Sequence, residues 1–365
     1  MNATVSASEW AWRAGLAESA VHERNLRRLW LIPGTSLGVV AAPATRHERM
    51  FLVWHYWWQA HLLDVTVDAE VRAPSEVRRR RIADIARGIR RRNFGRWSNS
   101  YYDDMAWLAI ALERAQRLVG IDFGVPLATL TDPLYDAWAP ERGGGIPWRI
   151  HSDFFNTPAN GPAGIVLARV NRLDRAVAMA DWLDATLRDP DTGLIFDGIH
   201  QPGDRLEENM YTYCQGVALG LETELALRTP DSVHAERVHR LVDAVAHRLT
   251  SSDVIVGAGG GDGGLFAGIL ARYLAMVAVQ LPGDSSVDGR ARASAAAIVL
   301  ASAAAAWDNR IEIEGRPVFG PDWSVQARGP GTGAPERDLS VQLAGWLLLE
   351  AAHRVAAAPG PEGEL

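Results

Sequence analysis

Apolar residues recur at helical spacing along most of the chain. In "MAWLAIALERA", for example, Leu108, Ala109, Leu112 and Ala115 fall on one stripe. Period-two alternation is almost absent, and short Gly/Pro/Asp-rich breaks separate the helical stretches. The pattern predicts helices over residues 7–31, 47–71, 75–93, 102–118, 126–138, 159–170, 173–188, 208–228, 231–249, 264–280, 286–306 and 337–356. Such a series suits six helical hairpins closing into an all-α toroid, an (α/α)6 barrel of inner and outer helices. Stretches rich in small and aromatic residues, such as 208–228, alternate with arginine-rich ones such as 231–249. That asymmetry fits buried inner helices and outer helices with a polar face. No compositional break divides the chain, so one domain over 1–365 is expected, with 357–365 as a frayed tail.

Composition narrows the chemistry. All 37 basic residues are arginine, against 44 acidic ones. Without lysine, Schiff-base catalysis and the lysine of a phosphate-binding loop are both excluded. The single cysteine, Cys214, excludes an internal disulfide and multi-cysteine metal patterns. The N-terminus lacks a charged leader followed by an apolar run, and no segment reaches ~18 uncharged apolar residues. A cytoplasmic monomer without a membrane span is therefore expected. The basic segment "VRRRRIADIARGIRRRN" reads as a solvated outer-helix face in a net acidic chain, with no nucleic-acid partner. "GAGGGDGG" (257–264) lacks the phosphate-loop pattern and reads as an inter-helix loop.

Two adjacent carboxylates, Asp103 and Asp104 in "NSYYDDMAW", fall in the first turn of a predicted helix. Aspartate is common there as a cap. A cap needs only one, however, and neighbouring carboxylates drive their pKa values apart. A retaining glycosidase needs such a division: one ionised carboxylate and one protonated, about 5 to 5.5 Å apart. Aromatics interleaved with polar residues suit a sugar cleft, namely "VWHYWWQAH" (Trp54, Tyr56, Trp57, Trp58, Gln59), Trp148 after a triple glycine, and "MYTYCQG" (Tyr211, Tyr213, Gln215). The loops "ERGGGIPWRIHSDFFNTPANGPAG" and "GLIFDGIHQPGD" add Asn160, equally an N-cap, and Asp197, equally a turn residue.

Other constellations are weaker. His55 and His61 point to different helix faces and make a poor metal pair. His234 and His239 are expected to be solvated, and Glu207 and Glu208 to cap a helix. No G-x-S-x-G elbow is present.

The ordered series "YWWQAHLLD", "NSYYDDMAWLAIAL", "GGGIPW", "NTPANGPAGIVLARV", "GLIFDGI", "YTYCQGVALG" and "FAGILARYL" resembles glycoside hydrolase family 76, the endo-α-1,6-mannanase family. The resemblance implies an (α/α)6 toroid acting on α-1,6-linked mannose polymers by retaining double displacement. It implies Asp103 as nucleophile and Asp104 as general acid/base, without metal or organic cofactor. It also implies Gln59, Trp148, Asn160, Asp197, Tyr213, Gln215 and Phe266 in or beside the cleft. The chain departs from the family at Cys214, where an asparagine is common, and at Ala139, where Trp-Asp commonly precedes the glycines. Transglycosylation at the same site and non-catalytic glycan binding are the alternatives. An epimerase on a similar toroid would lean on histidines such as His151 or His200, which lack a supporting arrangement.

Overall fold

The computed structural model describes residues 5–358, so 359–365 of the expected frayed tail lie outside the described residues. Twelve long helices build it: α1 (Ala7–Arg24), α2 (Tyr56–Arg72), α3 (Glu76–Arg92), α4 (Tyr102–Arg114), α5 (Gly124–Asp136), α6 (Thr157–Arg169), α7 (Leu173–Trp182), α8 (Thr212–Ala226), α9 (Val233–Arg248), α10 (Gly263–Gln280), α11 (Ser286–Asp308) and α12 (Leu339–Ala357). The even-numbered helices pack side by side in chain order, and α12 returns to α2 to close the ring. The odd-numbered helices pack outside them. The fold is the expected all-α (α/α)6 toroid.

Residue type sorts the two layers. α9 buries a stripe that includes Val238, Leu241, Val242 and Val245 and leaves Arg240 and Arg248 outward, while Arg237 turns in to Glu222 and Asp184. α8 and α10 are buried on nearly every side, which small residues permit: Gly216 lies against the backbone of Leu270, and Gly268 against that of Ala344. α10 is the one helix among the described residues long and apolar enough to cross a membrane by length and composition. Its place in the inner ring accounts for that apolarity.

Several boundaries differ from the periodicity. The 47–71 prediction splits into a single turn, Arg46–Arg49, fastened by a Thr45/Glu48 capping box, and α2. The break lies at His55, whose φ of +43° no helix accommodates. The first helix ends at Arg24, and Leu26–Arg27 then pairs with Leu37–Gly38. The two loops expected to carry the site form an antiparallel sheet, β1 (Phe154–Asn156), β2 (Gly198–His200) and β3 (Arg205–Glu207), with Phe155 opposite Ile199 and Ile199 opposite Leu206. Glu207 therefore ends a strand and caps nothing, since α8 begins at Thr212. His234 is buried and shares a hydrogen bond of 2.6 Å with Glu222, and His239 pairs with Asp288, so neither is simply solvated.

Three polar residues expected in or beside the cleft are engaged with backbone. Gln59 accepts from the Gly38 amide and donates to the carbonyls of Gly38 and Trp54. Asn160 does the same for the Ile146 amide and the carbonyls of Ile146 and Asn156. Gln215 serves the Ile195 amide and the carbonyls of Ile195 and Tyr211. All three are fully buried and engaged with backbone, leaving little capacity for a sugar hydroxyl. Gln342 repeats the arrangement at Phe319 and Glu336. Each amide straps the chain entering an inner helix to that helix, satisfying backbone groups that burial would otherwise orphan.

The C-terminal ends of the inner helices carry a belt of ion pairs. Arg114 and Arg272 bridge Asp64 and Asp68, Arg72 joins Glu350 and Glu18, and Arg169 joins Glu224. Cations there also face the negative ends of the helix dipoles.

Candidate active site

All six inner helices run the same way, so their N-termini gather at one mouth of the toroid. A cleft of about 560 Å³ opens there. α4 contributes Asp103 and Asp104, α2 contributes Tyr56 and Trp57, and α6 contributes Pro158 with its N-cap Asn156. Tyr213 comes from α8, and Phe266 from α10 with Asp262 just before it. Trp148, Phe154 and Asp197 come from the connecting segments. Among the described residues, no arginine lines this cleft.

The aspartates differ in their partners. Asp103 accepts the Trp148 indole N–H at 2.9 Å and the Asp104 backbone amide at 2.8 Å, both favouring its ionised form. Asp104 accepts the Asn99 side-chain amide at 2.6 Å. Burial pushes Asp103 up to about 7 against those hydrogen bonds, and the charge of Asp262 adds to the rise. Burial raises Asp104 further, reinforced by the charges of Asp103 and Asp262. The two titrate as a pair, and the partners favour Asp103 as the ionised member while Asp104 keeps the proton.

Trp148 is held for its contact. Its backbone carbonyl accepts from the Tyr102 amide at 2.9 Å and its amide donates to the Phe154 carbonyl at 2.7 Å, tying it to the start of α4 and to β1. The triple glycine before it has a reason other than ligand approach. Gly143, Gly144 and Gly145 all have positive φ. A Cβ on Gly144 or Gly145 would meet Trp138 or Trp182 at 2.9 and 2.8 Å.

Opposite lies an aromatic wall. Tyr213 stacks on Phe266 with ring centroids 3.9 Å apart, and Tyr211 packs on both without lining the cleft itself. Trp58 is also displaced: it is buried, stacks under His55 at 4.3 Å and donates its indole N–H to Asp262 at 2.9 Å. Its neighbour Trp57 lines the cleft and donates to the same Asp262 oxygen at 3.2 Å. Asp197 lines the far side, where burial raises its carboxyl to about 6 although the Cys214 thiol donates to it at 3.7 Å.

Of the residues singled out from the sequence, the cleft brings together Asp103, Asp104, Trp148, Asp197, Tyr213 and Phe266. Gln59, Asn160 and Gln215 are buried behind its wall, and Trp58 and Tyr211 pack against lining residues without lining it themselves. Asp262, His55, Tyr101, Trp107, Phe154 and Asn156 were missed. For Asp262 a signal existed, an acid immediately before an apolar helix, but its glycine-rich surroundings read as linker.

The model of glycosyl hydrolase family 76 matches residues 33–329. The chain belongs to this family. Solved family 76 glycoside hydrolases are among the structures it resembles. The GH76A α-1,6-mannanase from Salegentibacter sp. HEL1_6 superposes with a TM-score of 0.82 at 27% identity, over 94% of this chain and 98% of that one. An inactive variant of that enzyme, with two consecutive aspartates changed to asparagine and bound to α-1,6-mannotriose, gives a TM-score of 0.83 at 26% identity, over 94% and 99% of the two chains. The Lin0763 protein from Listeria innocua gives 0.81 at 25%, over 94% and 96%. A search of curated proteins finds no match. For a glycoside hydrolase, a buried carboxylate pair with no cation beside it is a chemically sufficient centre.

Proposed function

We propose that the protein is a retaining glycoside hydrolase that cleaves α-1,6-linked mannose backbones. The observation that carries this is the unequal hydrogen bonding of Asp103 and Asp104 at the base of an aromatic cleft. Asp103, carrying two N–H donors, attacks the anomeric carbon while Asp104 delivers its proton to the departing glycosidic oxygen. Water then releases the glycosyl ester, and Asp104 takes the water's proton, restoring both groups. Trp57 and the Tyr213/Phe266 stack offer flat apolar faces to sugar rings, and Asp197 and Asp262 offer acceptors to hydroxyls.

Support for the linkage comes from the Salegentibacter enzyme, whose inactive variants bind α-1,6-mannotriose and α-1,6-mannotetrose and differ from it at two consecutive aspartates. The test is hydrolysis of linear α-1,6-mannooligosaccharides, with proton NMR of the first anomer released. An α-anomer supports retention at Asp103, a β-anomer refutes double displacement, and no turnover of any α-mannoside refutes the activity.

A further inference from the structure

We propose that the cavity at the opposite, C-terminal end of the inner ring binds a small amphiphilic monoanion, a carboxylate carrying a short hydrocarbon chain. This cavity of about 360 Å³ lies between the last turns of α2, α10 and α12. It falls within the ~300–1,000 Å³ range of small-molecule sites. Val71, Ala275, Val279 and Leu347 give it apolar walls, and its charged lining comes from the ion-pair belt.

Most of that lining is engaged. Asp68 is held by Arg114 and Arg272, Glu350 accepts from Arg72 and from the Trp346 indole, and His353 bonds the Ala7 carbonyl. Arg354 is the exception: among the described residues it makes no ion pair and no hydrogen bond, although it is largely buried. Arg272, on the same wall, is engaged: its Nη atoms hold Asp64 and Asp68. Burial and the like charges of Arg114, Arg272 and Arg169 all press on Arg354, with Asp68 opposing, and its guanidinium falls to about 10.

A guanidinium buried without a counter-charge is costly, and a planar fork with free donors is the group best suited to a carboxylate. The Asp68 carboxylate nearby favours a single negative charge over the double charge of a phosphate monoester. Apolar walls around that donor favour a hydrocarbon chain over a hydrated anion. Position separates this site from catalysis, because the cleft lies at the other ends of the same helices, roughly 20 Å away by the helical rise.

The experiment is calorimetric titration of the full chain with octanoate, with 1-octanol as the uncharged arm and octyl phosphate as the dianionic arm. Octanoate is expected to bind one to one, with octanol, octyl phosphate and the Arg354→Gln variant each weaker by about tenfold or more. Ala357→Trp, which fills the mouth from an exposed position, is expected to weaken octanoate in the same way while leaving Arg354 in place. Without ligand, Arg354→Gln is expected to melt higher than the parent, and its mannoside hydrolysis to be unchanged. The proposal is overturned by absence of octanoate binding at millimolar concentration, by equal affinity for octanol, by tighter binding of octyl phosphate, or by a lower melting point for Arg354→Gln.

Discussion

Asp103 at the mouth of the toroid and Asp64 midway along α2 are both aspartates on inner helices, both largely withdrawn from water, and they titrate in opposite directions. Burial raises both. At Asp64, the charges of Arg114, Arg272 and His61 and a hydrogen bond from Arg114 overcome that rise and hold the carboxyl at about 2. At Asp103, indole and amide donors oppose burial without any full positive charge, and the carboxyl stands at about 7. Depth in the fold alone therefore does not set how a carboxylate titrates; for this pair, the two arginines on Asp64 make the difference. In a chain with arginine as its only strong base, the catalytic mouth is defined as much by where arginine is absent as by where aspartate is present.

The comparison breaks most sharply at the mouth. Asp103→Asn or Asp104→Asn is expected to lower kcat on α-1,6-mannotetraose by about 10⁴-fold or more, with the fold intact by circular dichroism. Near-parental rates in either variant would remove that residue from the chemistry. Asp64 answers in stability instead. Asp64→Asn leaves Arg114 and Arg272 short of a counter-charge and is expected to cost about 3–5 kcal/mol in urea unfolding. Asp103→Asn, relieving a buried charge with no cation beside it, is expected to gain about 1 kcal/mol at neutral pH. If both variants shift stability the same way, the proposed contrast is wrong.

The pH dependence of stability sharpens it further. Between the ordinary carboxyl value of 3.8 and about 7, native Asp103 keeps a proton that the unfolded chain releases, so stability falls as pH rises through that window. Native Asp64 is already ionised between about 2 and 3.8, so its contribution is lost as pH falls through that lower window. Urea midpoints across both windows should show two opposing slopes, and Asp103→Asn should flatten only the upper one. Trp148→Phe removes the indole donor to Asp103, and a roughly tenfold to hundredfold loss of kcat/KM is expected, with the acidic limb of its pH profile moved upward. Smallest is Cys214→Ser, which gives Asp197 a stronger donor than a thiol. It should lower that carboxyl from about 6 and change kcat/KM by less than about tenfold, read from the pH profile.

Helix number, ring closure and the aspartate doublet were legible in the sequence, because burial of inner helices imposes a composition that long periodic segments display. The backbone-strapping role of Gln59, Asn160 and Gln215 was not legible, because an amide that straps buried backbone and one that binds a hydroxyl are the same residue in the same kind of motif. The role of the triple glycine was likewise not legible: it lets the chain pass tightly over Trp138 and Trp182, and which surface a glycine approaches is a tertiary fact. Asp262 escaped because its partners, Trp57 and Trp58, lie about two hundred residues away, a separation that local patterns do not report.

The amide straps carry a consequence beyond stability. Gln59, Asn160, Gln215 and Gln342 are each the fourth residue of their inner helix, so four of the six hairpins share a common internal register. In the other two, that register position holds Met105 and Phe266. Those are the hairpins that supply the Asp103–Asp104 doublet and the Asp262/Phe266 side of the cleft. The two helices without the fastening thus begin at the doublet and at Asp262, while strapped α2 and α8 bring the aromatic faces of Trp57 and Tyr213.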